Sequence, residues 1–160
     1  MEKIKEKFIE IIGNLGEGLG LNRTVCQIYA LLYITPNPLS PAEIGRQLGI
    51  SKGNVSINLK KLEEWEAVEK VWRKGYARSL YRANDDIDGI IFQKLKTGIE
   101  KRIKRIDKSL KNIKLQMKRK SKESDENIKY MKKKIFEIEK LIKKLSEVAK
   151  SLQYLKNFME

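Results

Sequence analysis

Ser40-Pro41-Ala42-Glu43-Ile44-Gly45-Arg46-Gln47-Leu48-Gly49-Ile50-Ser51-Lys52-Gly53-Asn54-Val55-Ser56 holds two helix starts and one helix stop in a single short stretch. Ser40 is an N-cap, Pro41 suits the first helical position, and Glu43 stands where a capping box needs an acid. The helix opened there runs to about Leu48, where Gly49 supplies the turn. Ser51 caps a second helix, from Lys52 to about Glu64. Two helices joined by a glycine-containing turn of about three residues form a helix-turn-helix.

The flanks extend this unit. Upstream, Ile4, Phe8, Ile11, Ile12 and Leu15 recur at helical spacing, so a helix is expected over about 3–15. Gly16, Gly18 and Gly20 are expected to break it. Asn22 caps a helix to about Tyr33 that buries Val25, Ile28, Tyr29 and Leu32, and Thr35-Pro36-Asn37-Pro38 ends it. Downstream, Val68-Glu69-Lys70-Val71-Trp72-Arg73 and Ser79-Leu80-Tyr81-Arg82 are β-prone runs around Lys74-Gly75-Tyr76-Ala77-Arg78, which reads as a hairpin. A basic hairpin directly after a helix-turn-helix is a wing, here carrying Arg73, Lys74, Gly75, Tyr76 and Arg78.

After residue 84 the grammar changes. Residues 85–160 lack proline and carry 22 Lys+Arg against 12 Asp+Glu, whereas 1–84 carry 13 against 9. Asp85 or Asp86 caps a helix from about Ile87. Ile99, Ile103, Ile106, Leu110, Ile113 and Met117 alternate four and three apart, which is coiled-coil spacing. A second set includes Ile128, Met131, Ile135, Ile138, Ile142, Leu145, Val148, Leu152 and Leu155. Leu141 and Phe158 widen it towards a bundle. Lys118 to Lys122 followed by Glu123 to Glu126 fits one helix ending and another starting, a hairpin near 120–125. One uninterrupted helix stays open, because no Gly or Pro intervenes.

The expected fold is therefore mainly α with a small β-wing. A winged helix-turn-helix head (1–84) is followed by long C-terminal helices (85–160) forming a dimerisation coiled coil or bundle. The stripe assigned to dimerisation comprises Ile99, Ile103, Ile106, Leu110, Ile113, Ile135, Ile138, Leu145 and Leu152. An apolar stripe of that length is unstable in water, and a twofold dimer would bury it.

Composition narrows function. A net charge of +14 attracts polyanions. No apolar run reaches the roughly 18 residues of a membrane span, and no signal-peptide pattern opens the chain. A cytoplasmic, nucleoid-associated protein is expected, with double-stranded DNA as partner and no membrane. The lone cysteine, Cys26, forms no internal disulfide and reads as a small buried thiol. With no histidine in the chain, and no nucleophile motif or phosphate loop, neither an enzyme nor a cofactor is expected.

The helix from Ser51 divides by face. At about 100° per residue, Val55, Leu59 and Leu62 form an inward stripe. Gly53, Asn54, Ile57, Lys60 and Lys61 lie opposite, with Ser56 at the edge. Small and amide side chains near the N-terminus suit a major groove. Asn54 pairs with an adenine edge, Ser56 bonds either base type, Lys52 reaches guanine or phosphate, and Ile57 meets a thymine methyl. Base-facing candidates are thus Ser51, Lys52, Gly53, Asn54, Ser56 and Ile57. Lys60 and Lys61, with Arg23 and Ser40 at the starts of two helices, are phosphate candidates.

The run Leu31-Leu32-Tyr33, Pro38 to Ile44, Leu48 to Ser56, Leu59, Leu62-Glu63-Glu64-Trp65 and Val68 resembles the GbsR-type branch of the MarR regulators. So does the lead-in Gly18-Leu19-Gly20-Leu21-Asn22-Arg23-Thr24. The resemblance spans roughly 15–83. It implies a homodimeric transcriptional regulator, often a repressor, that binds an inverted repeat through two winged heads. Related regulators often bind a small-molecule effector near the dimer interface, although no residue here identifies one. The family's wing usually sets acids beside its arginine; Tyr76-Ala77-Arg78-Ser79 has the arginine alone. Two other classes fit parts of the pattern: a chromosomal architectural protein of low sequence specificity, and a winged helix that binds protein instead of DNA.

Overall fold

The computed structural model describes residues 1–75, 79–120 and 125–159, with no side-chain placement for 120, 152, 153 and 155–159. The chain divides into two compact units, Met1–Ile90 and Ile91–Glu160. The first contains α1 (Glu2–Gly18), α2 (Arg23–Ile34), α3 (Pro41–Leu48), α4 (Lys52–Glu64), β1 (Val68–Val71) and β2 (Leu80–Ala83). α5 (Ile87–Lys120) begins there, and α6 (Glu126–Met159) lies in the second unit. No helix among the described residues is long and apolar enough to cross a membrane.

The local signals act as their chemistry requires. Asn22 Oδ1 accepts from Val25 N at 3.0 Å and starts α2. Ser40 and Glu43 form the full capping box: Glu43 N donates to Ser40 Oγ, and Ser40 N donates back to the Glu43 carboxylate. The Ser40 hydroxyl also donates to that carboxylate, and this bond, with the one from Ser40 N, holds the Glu43 carboxyl below its usual range. Gly49 occupies the left-handed region at φ 64°, which leaves the chain free to turn into α4.

α2 is the centre of the head. Val25, Ile28, Tyr29, Ala30, Leu31 and Leu32 are all buried, and Ile44, Val55, Leu59, Leu62 and Val68 join them in one core. β1 and β2 pair antiparallel, with Val68 opposite Ala83 and Val71 opposite Leu80. Leu39 adds a short bridge to Tyr81, exchanging backbone bonds of 2.9 and 2.8 Å, and so ties the entry of α3 to the hairpin. Tyr29 Oη donates to the Asn84 carbonyl at 2.7 Å, and the Asn84 amide donates to the Glu66 carbonyl at 3.0 Å. Glu66 itself has φ 56°, so a non-glycine residue terminates α4 in the left-handed region.

Of the three glycines after residue 15, Gly20 stands just past the helix end at φ 77° as expected, whereas Gly16 and Gly18 do not break the helix. α1 continues through Gly16 to Gly18. Gly16 is buried and faces Cys26 of α2; a β-carbon there would lie 2.9 Å from Cys26 Cβ and closer still to the sulfur. The residue is a contact surface and not a breaker, and single-sequence spacing does not distinguish the two. The enclosed Cys26 thiol is pushed up to about 11 by burial.

The extension is a helical pair. Asp86 Oδ1 accepts from Gly89 N and caps α5, and Asp125 caps α6 by accepting from Asn127 N at 2.9 Å. Residues 121–124 lie outside the described residues. Lys114 Nζ reaches the Glu139 carboxylate at 2.6 Å. Glu100, Ile103 and Asp107 share a groove of about 390 Å³ with Glu139, Ile142, Ser146 and Lys150, so the two helices run antiparallel.

The close approach at Gly16 yields a direct expectation. Gly16→Ala should destabilise the protein by about 1–3 kcal/mol despite alanine's better helix propensity, because the notch is already full. Chemical denaturation of wild type and variant measures this, and equal or higher stability of the variant contradicts it.

Candidate nucleic-acid interface

α4 carries its two faces as chemistry would sort them. Ser51 caps it, Oγ accepting from Asn54 N at 3.2 Å. Val55, Leu59 and Leu62 are buried inward. Lys52, Gly53, Asn54, Ser56, Ile57 and Lys60 are exposed, and Lys61 is half-buried. Ile57 is 61% exposed, an apolar side chain with no place in the core. Gly53 has open space where a β-carbon would stand and does not need a positive φ. Nothing in the head's own packing requires glycine there.

Beside this face, α3 and the start of α4 enclose a groove of about 530 Å³ lined by Pro41, Ala42, Gly45, Arg46, Ile50 and Lys52. Gly45 permits the close crossing: a β-carbon there would meet the Ile50 carbonyl at 3.0 Å. Arg46 and Lys52 are exposed and put two cations on an otherwise apolar rim. Arg46 escaped the reading of the sequence, although an exposed cation on the first helix of a helix-turn-helix was there to be seen.

The hairpin is braced at its base. Lys70 Nζ stands 2.7 Å from Glu63 at the end of α4, and that hydrogen bond holds its ammonium above the ordinary range. Arg82 pairs with Glu69 directly across the ladder. The wing thus draws its ion pairs from its strands and from α4. Towards the tip, Trp72, Arg73, Lys74 and Gly75 are exposed, and Gly75 takes φ 89°. Trp72, 81% exposed, is a large aromatic surface that β-propensity alone had accounted for. Tyr76 and Arg78 lie outside the described residues.

The remaining expected contacts are partly occupied. The Arg23 guanidinium lies near two α1 carboxylates, 4.0 Å from Glu10 and 3.9 Å from Glu17. Ser40 Oγ is engaged with Glu43 on both its accepting and donating sides. Both have less capacity left for phosphate than the exposed lysines.

Asn58 is a residue that the sequence reading passed over. It is 4% exposed and is the buried polar side chain of the described residues. Its amide donates to the Asn54 carbonyl at 2.8 Å and also to Asn54 Oδ1. Helical spacing places it with Val55, Leu59 and Leu62, so the pattern that found the apolar stripe also located this position.

A model of the MarR family matches residues 19–73, about a third of the chain. Over 86 residues the chain is 27% identical to YvaV of Bacillus subtilis (strain 168), which is named as an HTH-type transcriptional regulator. It is 27% identical over 86 residues to OpcR of the same organism, named as an HTH-type transcriptional repressor. These alignments take in 54% of this chain and 49% and 46% of the relatives, so the chain spans about half the length of the curated relatives it matches. A crystal structure described as a transcriptional regulator superposes with a TM-score of 0.62 at 17% identity, covering 96% of this chain and 98% of the other. That likeness is one of fold, and it takes in the long C-terminal helices as well as the head. The head segment spanning residues 19–73 is thus similar to the helix-turn-helix of the MarR family.

Proposed function

We propose that the chain is a homodimeric, sequence-specific DNA-binding transcriptional regulator of the GbsR-type branch, reading a palindromic site with one α4 from each protomer. The outward arc of α4 carries this proposal. It combines exposed donors, a bare Gly53, a solvent-facing Ile57 and a neighbouring hairpin rimmed by cations. Lys52, Asn54, Ser56 and Ile57 face base edges, with Ser51 and Gly53 allowing close approach. Lys60 and Lys61 meet phosphates, aided by Arg23, Ser40 and the wing residues Arg73, Lys74, Gly75, Tyr76 and Arg78. Repression as the sign of regulation is supported by the likeness to OpcR, beside the family resemblance. The protein would work in the cytoplasm, at the nucleoid.

The dimer follows from what α5 and α6 leave uncovered. Ile99, Ile103 and Leu110 on α5, and Ile135 and Ile142 on α6, are half-buried within the pair. Ile106 and Ile113, with Ile138, Leu141, Leu145 and Val148, are exposed. At about 100° per residue, Ile106 and Ile113 on α5, and Ile138 and Leu145 on α6, lie within about 80° of the half-buried residues of their own helix, with Leu141 and Val148 further round. The apolar surface therefore continues sideways from the seam into solvent, where a second copy can cover it. The expected Leu152 contact lies outside the described side chains.

The excess of 22 cations over 12 anions in residues 85–160 favours, as a second reading, an architectural protein with little sequence preference. Binding selection from randomised duplexes at fixed salt separates the two. An inverted repeat should emerge, with Asn54→Ala losing about 1–3 kcal/mol at one base and Lys60→Ala reducing the salt slope by about one for all sequences. A specificity ratio near one over random DNA would sink the regulator.

Gly53→Ala should raise folding stability by roughly 0.5–1 kcal/mol while weakening binding to the selected site. A variant that gains stability and keeps full affinity removes groove approach as the reason for this glycine. Leu145→Glu, at an exposed position, should leave helicity intact and convert the dimer to monomer in sedimentation. A wild-type monomer at micromolar concentration would refute the dimer outright.

A further inference from the structure

The recognition helix contains one polar side chain that faces the wrong way for DNA. Asn58 points into the head with Val55, Leu59 and Leu62, is almost wholly buried, and spends its amide hydrogens on the residue one turn back. An apolar residue would fill that position at no desolvation cost. What the amide adds is a hold on Asn54. One bond goes to the Asn54 backbone carbonyl and the other to its side-chain oxygen.

We infer that Asn58 is a positioning residue for base recognition, orienting the exposed Asn54 amide so that it meets the major groove as a hydrogen-bond donor. The chemistry follows from the planar amide. With Oδ1 turned to Asn58, the NH2 group of Asn54 is directed away from it, and one of the two oxygen lone pairs is already used. Free, the Asn54 side chain has a roughly two-fold choice of amide orientation and several rotamers. Tethered, it has lost that freedom before DNA arrives, so the cost of ordering it does not fall on binding. The donor face suits acceptors on a base edge: purine N7, guanine O6 or thymine O4. This sharpens the adenine pairing expected from sequence, because the carbonyl half of a two-point adenine contact must now be shared with Asn58.

The inference rests on the proposed DNA reading, and its test keeps the two separable. Full-length wild type, Asn54→Ala, Asn58→Leu, Asn58→Ala and the Asn54→Ala/Asn58→Leu double variant are each put through selection from randomised duplexes. Affinity for random DNA and thermal unfolding are measured alongside. Asn58→Leu keeps the volume and the apolar packing while deleting the tether; Asn58→Ala covers the case in which leucine disturbs the core. Asn58→Leu or Asn58→Ala should lower discrimination at the one base pair that Asn54→Ala relaxes, by at least about fivefold, the lower end for a specific contact. Affinity for random DNA should be unchanged. In the Asn54→Ala background, Asn58→Leu should have no further effect on discrimination, because a residue that acts through Asn54 has nothing left to act on. If both Asn58 variants keep wild-type preference at that base pair, or if Asn58→Leu changes discrimination equally with and without Asn54, the inference is wrong. If wild type enriches no motif, the proposed function fails instead.

Discussion

Burial of α2 is the constraint on which the head depends. Its residues Val25 to Leu32 are enclosed on nearly every side, by α1 at the Gly16 notch, by α3 and α4 through Ile44, Val55 and Leu59, and by the hairpin through Val68 and Tyr81. A helix apolar around most of its circumference can exist only inside such a shell. The shell in turn positions α4, since Val55, Leu59 and Leu62 have one core to join. The outward arc of α4 is thus a consequence of inward packing, and its exposure needs no separate cause. Tyr29 extends the same control to the hairpin by bonding Asn84, whose amide holds the left-handed exit of α4 at Glu66.

Electrostatics does a different job from packing. The Lys70–Glu63 and Arg82–Glu69 pairs are solvent-accessible and contribute little to stability. Their effect is positional: one ties the hairpin's base to the end of α4 and the other bridges its two strands. On the extension, Lys111 with Asp107 and Lys114 with Glu139 are paired in the same way. The acids are thus spent locally, and the charge of the chain as a whole stays strongly positive.

Most of the head was legible because its punctuation is strong. Ser40-Pro41-Ala42-Glu43, Gly49, Ser51 and Asn22 each determine a boundary by a single local bond or dihedral, and local signals survive folding unchanged. Gly16 misled because its reason is tertiary: only the proximity of Cys26 makes a side chain intolerable there. Glu66 gave no signal, since its left-handed φ is held by Asn84 from far along the chain. The hairpin of α5 and α6 could be argued from the order of charges, but its seam could not. Period alone does not separate residues that pack within one chain, such as Ile103 and Ile142, from neighbours such as Ile138 that remain exposed. At the interface, the exposed arc was readable from helical spacing. Asn58 shares the inward arc by the same spacing, but spacing does not show its bonds to Asn54, and β-propensity does not show that Trp72 is exposed.

The buried amide at Asn58 has a consequence for engineering. If α4 reads DNA as proposed, a graft of its outward residues alone would carry Lys52, Asn54, Ser56 and Ile57 but leave behind the inward residue hydrogen-bonded to the second of them. The host would acquire the correct functional groups in an unset pose. The unit that can be moved is the helix together with its floor, and the boundary between core and surface cuts through the middle of it.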